Sequence, residues 1–338
     1  MSDDPEISTA NTMRERAGES RLKLWLLLRA DRLLVAVVLV AAVFLAFVVA
    51  VVLLSPPFVR QLATGSPIEW IFSTMVSVIV TGTTLVVTIG QLVISQENGP
   101  LGDQRQRMSS TMDVRESTER LIGSPSPADP SAFLRELVGA TADRARALDE
   151  SVARGGDADL RREVDEFTES IVTNADEVRD QLDGARFGTF DVLFAALNFN
   201  YSWKVFQVER IADEHEGSLD DDDRSRLREL KTALSLFGPV REHIKTLYFQ
   251  WVLIDLSRQI LYASVPAVIV AAVMIAVVDA GTVPGSTLGI DHVVLVVGGA
   301  FAVTLLPFLL LVSYLLRVLT AAKRTLAIGP LILRDSQR

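Results

Sequence analysis

The sequence contains no cysteine. That excludes disulfides, zinc–thiolate centres, iron–sulfur clusters and thiol nucleophiles. Lysine is nearly as scarce: of 33 Lys and Arg residues, only five are Lys. The three histidines, His215, His243 and His292, do not show the spacing of a metal-ligand set. No phosphate-binding glycine loop, nucleophile elbow or HExxH helix occurs. The expectation is therefore no catalytic residue, no cofactor and no metal.

The most informative absence is charge. Leu33–Leu54, Ile71–Ile94, Ile260–Val278 and Val293–Leu316 contain no Asp, Glu, Lys, Arg or His. Each is long enough, as a helix, to cross the ~30 Å hydrocarbon core of a bilayer. Four transmembrane helices are predicted. Ionisable residues inside the membrane mark proton-coupled carriers, pumps and voltage sensors, so their absence argues against those classes and leaves passive channels untouched. Leu33–Leu54 is too long for an ordinary signal-peptide core and follows polar sequence, so it reads as a retained anchor.

The second apolar block, by contrast, is rich in uncharged polar groups. Ser73, Ser77, Thr81, Thr84, Thr88, Gln91 and Ser95 fall within an arc of roughly 80° at about 100° per residue. Such a face has two readings. It lines a water-accessible path in a homo-oligomer, where hydroxyls and an amide replace part of an ion's hydration. Alternatively, it is a helix-packing seam, because Ser and Thr allow close approach and hydrogen-bond across interfaces. Gly82 and Gly90 lie off this face and suit a neighbour on another side.

The formal net charge is −9. An acidic, Lys-poor chain suits a very salty cytoplasm, where the Debye length is only ~3 Å at 1 M salt. A GC-rich genome favouring Arg, Ala, Val and Gly gives part of the same bias. An acidic polar region also argues against nucleic acid as a partner.

Lys/Arg bias sets orientation. Arg21, Lys23, Arg29 and Arg32 precede the first block, Arg105 and Arg107 follow the second, and Arg317, Lys323, Arg324, Arg334 and Arg338 follow the fourth. The two short connectors hold only Arg60. Both termini and the large polar region are expected in the cytoplasm, with the protein multi-pass in the plasma membrane.

The resulting fold class is all-α: four transmembrane helices with a cytoplasmic helical bundle inserted between the second and third. The segments are a disordered N-terminus (1–20), transmembrane helices 1 and 2 (21–95), the bundle (96–258), transmembrane helices 3 and 4 (259–317) and a cytoplasmic tail (318–338). Asn98-Gly99-Pro100 and Gly102 break the chain after the second span. Leu134, Val138, Thr141, Ala145, Leu148 and Val152, then Leu160, Val164, Phe167 and Ile171, predict an antiparallel helical hairpin with coiled-coil-like packing. Phe190 to Ala212 reads as a third helix. Leu227 to Ile254 reads as a fourth, interrupted at Gly238-Pro239 and running without a polar turn into the third span. Asp220–Asp223 reads as a helix start with Ser218 as its cap rather than a cation site. The aromatics between Phe187 and Phe206 read as bundle core, Pro266 and Pro307 as tolerated kinks, and Gly298-Gly299 as close packing.

The run TLVVTIGQLVISQENGPLGDQRQRM ending at Met108, NFNYSW (198–203) and LSRQILYASVPA (256–267) resemble uncharacterised multi-span membrane proteins of halophilic archaea. That resemblance implies a membrane protein and a salty cytoplasm, and transfers no activity or functional residue. The leading expectation is a homo-oligomeric channel or pore-like protein with the second span lining the axis. The alternative is a membrane-anchored interaction or sensing module whose bundle binds a cytoplasmic protein partner. The partners expected are the lipid bilayer and further copies of the chain.

Overall fold

The computed structural model describes residues 25–54, 66–97, 99–279 and 281–325. The expected disordered N-terminus, most of the connector between the first two apolar blocks and the end of the tail lie outside them. The described chain is all-α apart from one two-residue ladder. A π-helical turn, Trp25–Arg29, precedes α1 (Arg32–Leu54) and α2 (Pro67–Glu97). Next come α3 (Leu101–Ile122), α4 (Pro130–Val152), α5 (Ala158–Leu182), α6 (Phe190–Leu197) and α7 (Tyr201–Glu214). The chain continues with α8 (Asp221–Val277), β1 (Ser286–Thr287), β2 (Ile290–Asp291), α9 (His292–Thr304) and α10 (Leu306–Thr325). Three helices, α1, α2 and α8, are long and apolar enough to cross a membrane, and α9 with α10 makes a fourth if the bent pair is one span.

Two units emerge. The first holds 99–249, and its core is built by the predicted apolar stripes: Leu134, Val138 and Leu148 of α4 against Val164, Ile171 and Val178 of α5. Ser131 Oγ donates to Leu182 O (2.9 Å) and Thr168 Oγ1 to Ala145 O (3.2 Å), so α4 and α5 run antiparallel. Each has an aspartate N-cap: Asp129 accepts from Ala132 N, and Asp157 from Asp159 N and Leu160 N. These caps satisfy N–H groups that have no intrahelical partner.

Four local expectations need correction. The helix predicted from Phe190 to Ala212 is two helices, broken at Asn198–Asn200. There, Asn198 O accepts from Asn174 Nδ2 (2.9 Å) and Asn198 Nδ2 donates to Gln181 Oε1 (2.7 Å). Gly238-Pro239 does not interrupt α8. Phe237, Val240 and Ile244 stay buried on either side, and Gly238 lets the Tyr201 ring lie where a Cβ would come within 3.1 Å of it. The packing thus outweighs one lost backbone bond. The cap before α8 is Asp220, whose Oδ1 accepts from Asp223 N (2.8 Å) while Asp223 Oδ2 accepts from Asp220 N (3.2 Å). This is the reciprocal geometry of a capping box; Ser218 Oγ donates to Asp157 instead. Gly102 does not prevent helix: it falls in the first turn of α3.

The second unit holds 22–98 and 250–320. Its helices share two ends. At one, Ile68 and Phe72 at the start of α2 pack with Ala271 and Met274 late in α8, Val293 and Val297 early in α9, and Val51 late in α1. At the other, Arg32 Nη1 at the start of α1 donates to Ser313 O of α10 (3.2 Å), and Tyr314 OH donates to Asp255 Oδ2 of α8 (2.5 Å). Successive helices therefore alternate in direction. α9 and α10 meet at 45° across Leu305, where Pro307 removes an N–H and crowds the preceding turn. Between α8 and α9, Leu288 and Gly289 take positive φ (57° and 78°) in the two-residue turn of β1–β2, the geometry favoured in tight hairpins.

Candidate functional site

All seven polar residues of the α2 stripe, Ser73, Ser77, Thr81, Thr84, Thr88, Gln91 and Ser95, are exposed. The face of α2 that meets the rest of the chain is apolar instead: Ile68, Phe72, Ile79, Val86 and Val93 are buried. On a helical projection the two sets are centred about 170° apart. The stripe therefore lies on the side of α2 turned away from its own chain.

Its hydroxyl protons are largely spent on the helix itself. Ser77 donates to Ser73 O (3.2 Å), Thr84 to Val80 O (2.9 Å), Thr88 to Thr84 O (2.9 Å) and Ser95 to Leu92 O (2.8 Å). Such bonds make hydroxyls tolerable in apolar surroundings. They leave hydroxyl oxygens, as acceptors, on the outer surface.

Polar residues that the stripe does not include join α2 to α8. Thr83 Oγ1 and Ser264 Oγ lie 2.8 Å apart. Two turns along, a Cβ on Gly90 would sit 3.4 Å from Ser257 Oγ. Thr83 and Gly90 are seven residues apart, as are Ser257 and Ser264, and this matched spacing was the signal available in the sequence. At Gly82, by contrast, a Cβ would find nothing within 4 Å.

The first unit holds three clusters of charged side chains. Glu163, Glu214 and His215 bring ligand-type atoms within 4.8 Å of one another. Arg210 lies among them, ion-paired to Glu163 and to Glu214 (2.8 Å), and His215 Nε2 contacts Glu163 Oε2 at 2.9 Å. A guanidinium thus already supplies the positive charge there. Lys204 is buried; its Nζ donates to Asn174 Oδ1 (2.9 Å) and lies 4.8 Å from the centre of the Phe199 ring. A cleft of about 270 Å³ between α3, α4 and α5 is lined by Glu136, Asp143, Arg144 and Arg179. Arg144 Nη2 donates to Leu121 O (3.1 Å) and Arg179 Nη1 to Asp176 (3.5 Å), while the buried Nε of each has no hydrogen-bond acceptor among the described residues.

Along its whole length, residues 1–338, the sequence matches a family of unknown function, DUF7972. The chain belongs to this family. No curated protein and no solved structure matches it.

Proposed function

We propose that this chain is a four-span integral protein of the plasma membrane that self-associates, with the polar face of α2 lining a water-accessible path at the centre of the oligomer. The observation that carries this reading is the exposure of all seven stripe residues opposite the apolar seam of the same helix. Lipid gives such a face no hydrogen bonds, whereas water or a second copy does, and a cation is coordinated by its oxygens. Outward hydroxyl oxygens suit partial replacement of a hydration shell. The basic ends of α1 and α10 meet at one end of the four helices, which supports placing that end, both termini and the inserted bundle in the cytoplasm. The acidic, Lys-poor composition supports a salty cytoplasm as the setting.

The Cys-free sequence makes the test direct. Single substitutions Ser77→Cys, Thr84→Cys, Thr88→Cys and Gln91→Cys are probed in membranes with an impermeant thiol reagent, beside Ile79→Cys and Val86→Cys on the buried seam. Labelling at the first four and silence at the last two is the expected pattern. Silence at all six overturns the path and leaves the alternative, an anchored interaction or sensing module whose bundle binds a partner.

A further inference from the structure

Residues 101–113, the first thirteen of α3, are all exposed. Only the end of the helix joins the bundle, through Val114, Thr118 and Leu121. Yet the open portion is not uniformly polar. Leu101 (82% exposed), Met108 (65%) and Met112 (53%) are large apolar side chains left open. At about 100° per residue they fall within an arc of roughly 40°, centred about 130° from the face that packs on the bundle. They are therefore not a frayed extension of the packing face. Arg105 flanks this strip, about 40° from its centre, whereas Asp103 and Asp113 lie more than about 100° away.

Two features say what covers the strip. Only three residues separate Leu101 from the end of α2 at Glu97, so the strip begins within about 15 Å of chain from a membrane-length helix. Between Leu101 and Met112 the strip carries no carboxylate and has a guanidinium at its edge; Glu116 and Glu119 fall on the same side only beyond it, where the helix joins the bundle. A short apolar strip with a cation at its edge suits a phospholipid headgroup layer, with the cation at phosphate depth. We infer that the N-terminal half of α3 is an interfacial helix, with Leu101, Met108 and Met112 set into the cytoplasmic surface of the bilayer and Arg105 on lipid phosphate. This rests on the membrane reading above.

The test uses the full chain in nanodiscs of phosphatidylcholine and phosphatidylglycerol, with an environment-sensitive fluorophore on single cysteines. Met108→Cys and Met112→Cys report the strip, Gln106→Cys and Asp113→Cys the opposite face, and Leu45→Cys on α1 the bilayer itself. Lipids spin-labelled at shallow or deep acyl positions serve as quenchers. Quenching by the shallow label at 108 and 112, at least about twofold stronger than at 106 and 113, is the expected result for a helix half-sunk in the interface. Equal quenching on both faces, or none at any of the four sites, overturns the inference. So does a blue-shifted but unquenched fluorophore at 108 and 112, which places protein over the strip. Deep quenching at Leu45→Cys together with any of these results removes only the interfacial helix. Absence of deep quenching at Leu45→Cys removes the membrane reading and this inference with it.

Discussion

Thr83 and Ser264 are joined across the α2–α8 contact by a hydrogen bond of defined direction. Ser264 Oγ lies 2.7 Å from Ile260 O and gives its proton there, so Thr83 is the donor in the 2.8 Å contact between the two hydroxyls. The two partners are thereby unequal. Thr83→Val removes the only proton that bridges them and is expected to destabilise the four-helix unit by about 0.6 kcal/mol, and by no more than about 1.7. Ser264→Ala leaves Thr83 free to bond its own helix and is expected to cost less. Denaturation in mixed detergent micelles, followed by circular dichroism, ranks the two.

Gly298 of α9 sits against Phe47 of α1 so closely that a Cβ would come within 2.7 Å of the ring. Gly298→Ala is expected to lower stability by about 1–3 kcal/mol, the usual cost of overpacking. Phe47→Leu in the same chain should recover much of that loss, since the two sites are in direct contact. Gly82→Ala, where nothing lies within 4 Å, is expected to be neutral or slightly stabilising. The same denaturation series reads all three.

The buried Lys204 donates to Asn174. Replacing Asn174 with Leu takes away an acceptor from an ammonium that is only 1% exposed, with an expected cost of about 1.5–3 kcal/mol. Lys204→Met in that background removes the charge along with its need for an acceptor, so the double variant should be more stable than Asn174→Leu alone. A double variant as unstable as the single one would contradict this account.

Asp157 gives the fold an acid-sensitive cap. The Ser218 hydroxyl, the Leu160 N–H and the Asp159 N–H all donate to its carboxylate and together hold it below the usual carboxylate range, against the opposing effect of desolvation. A group whose folded value is depressed stabilises the fold above its unfolded pKa, near 3.9, and that contribution fades as pH falls through the lower folded value. Asp157→Asn keeps a capping acceptor but loses the charge. It should melt below the parent chain at pH 7, and the gap should close as the pH drops below about 4. A gap that stays constant across that range would show that charge plays no part.

Long apolar runs and regular stripes were readable from composition, because burial or a lipid surround demands them. Leu134, Val138 and Leu148 occupy the core that their spacing predicts. α3 was missed because its first thirteen residues stay exposed, and a helix that buries so little need not carry a core-facing period. The break at Asn198–Asn200 was missed for the opposite reason: its hydrogen bonds come from Asn174 and Gln181, distant in sequence. At Gly238-Pro239 a strong local signal lost to packing. In the stripe of α2, the periodicity of Ser73 to Ser95 showed which residues stand together, but it had no means of showing that they face away from the chain. That depended on where Thr83, Gly90 and the apolar seam met α8.

The stripe also has a length. From Ser73 to Ser95 is 22 helical steps, about 33 Å at 1.5 Å per residue, against ~30 Å of hydrocarbon. A polar line that ended halfway would offer a neighbour one sticky patch at a single depth. This one is as long as a bilayer's hydrocarbon core is thick, so successive side-chain oxygens stand within a helical turn or so of one another along that whole length.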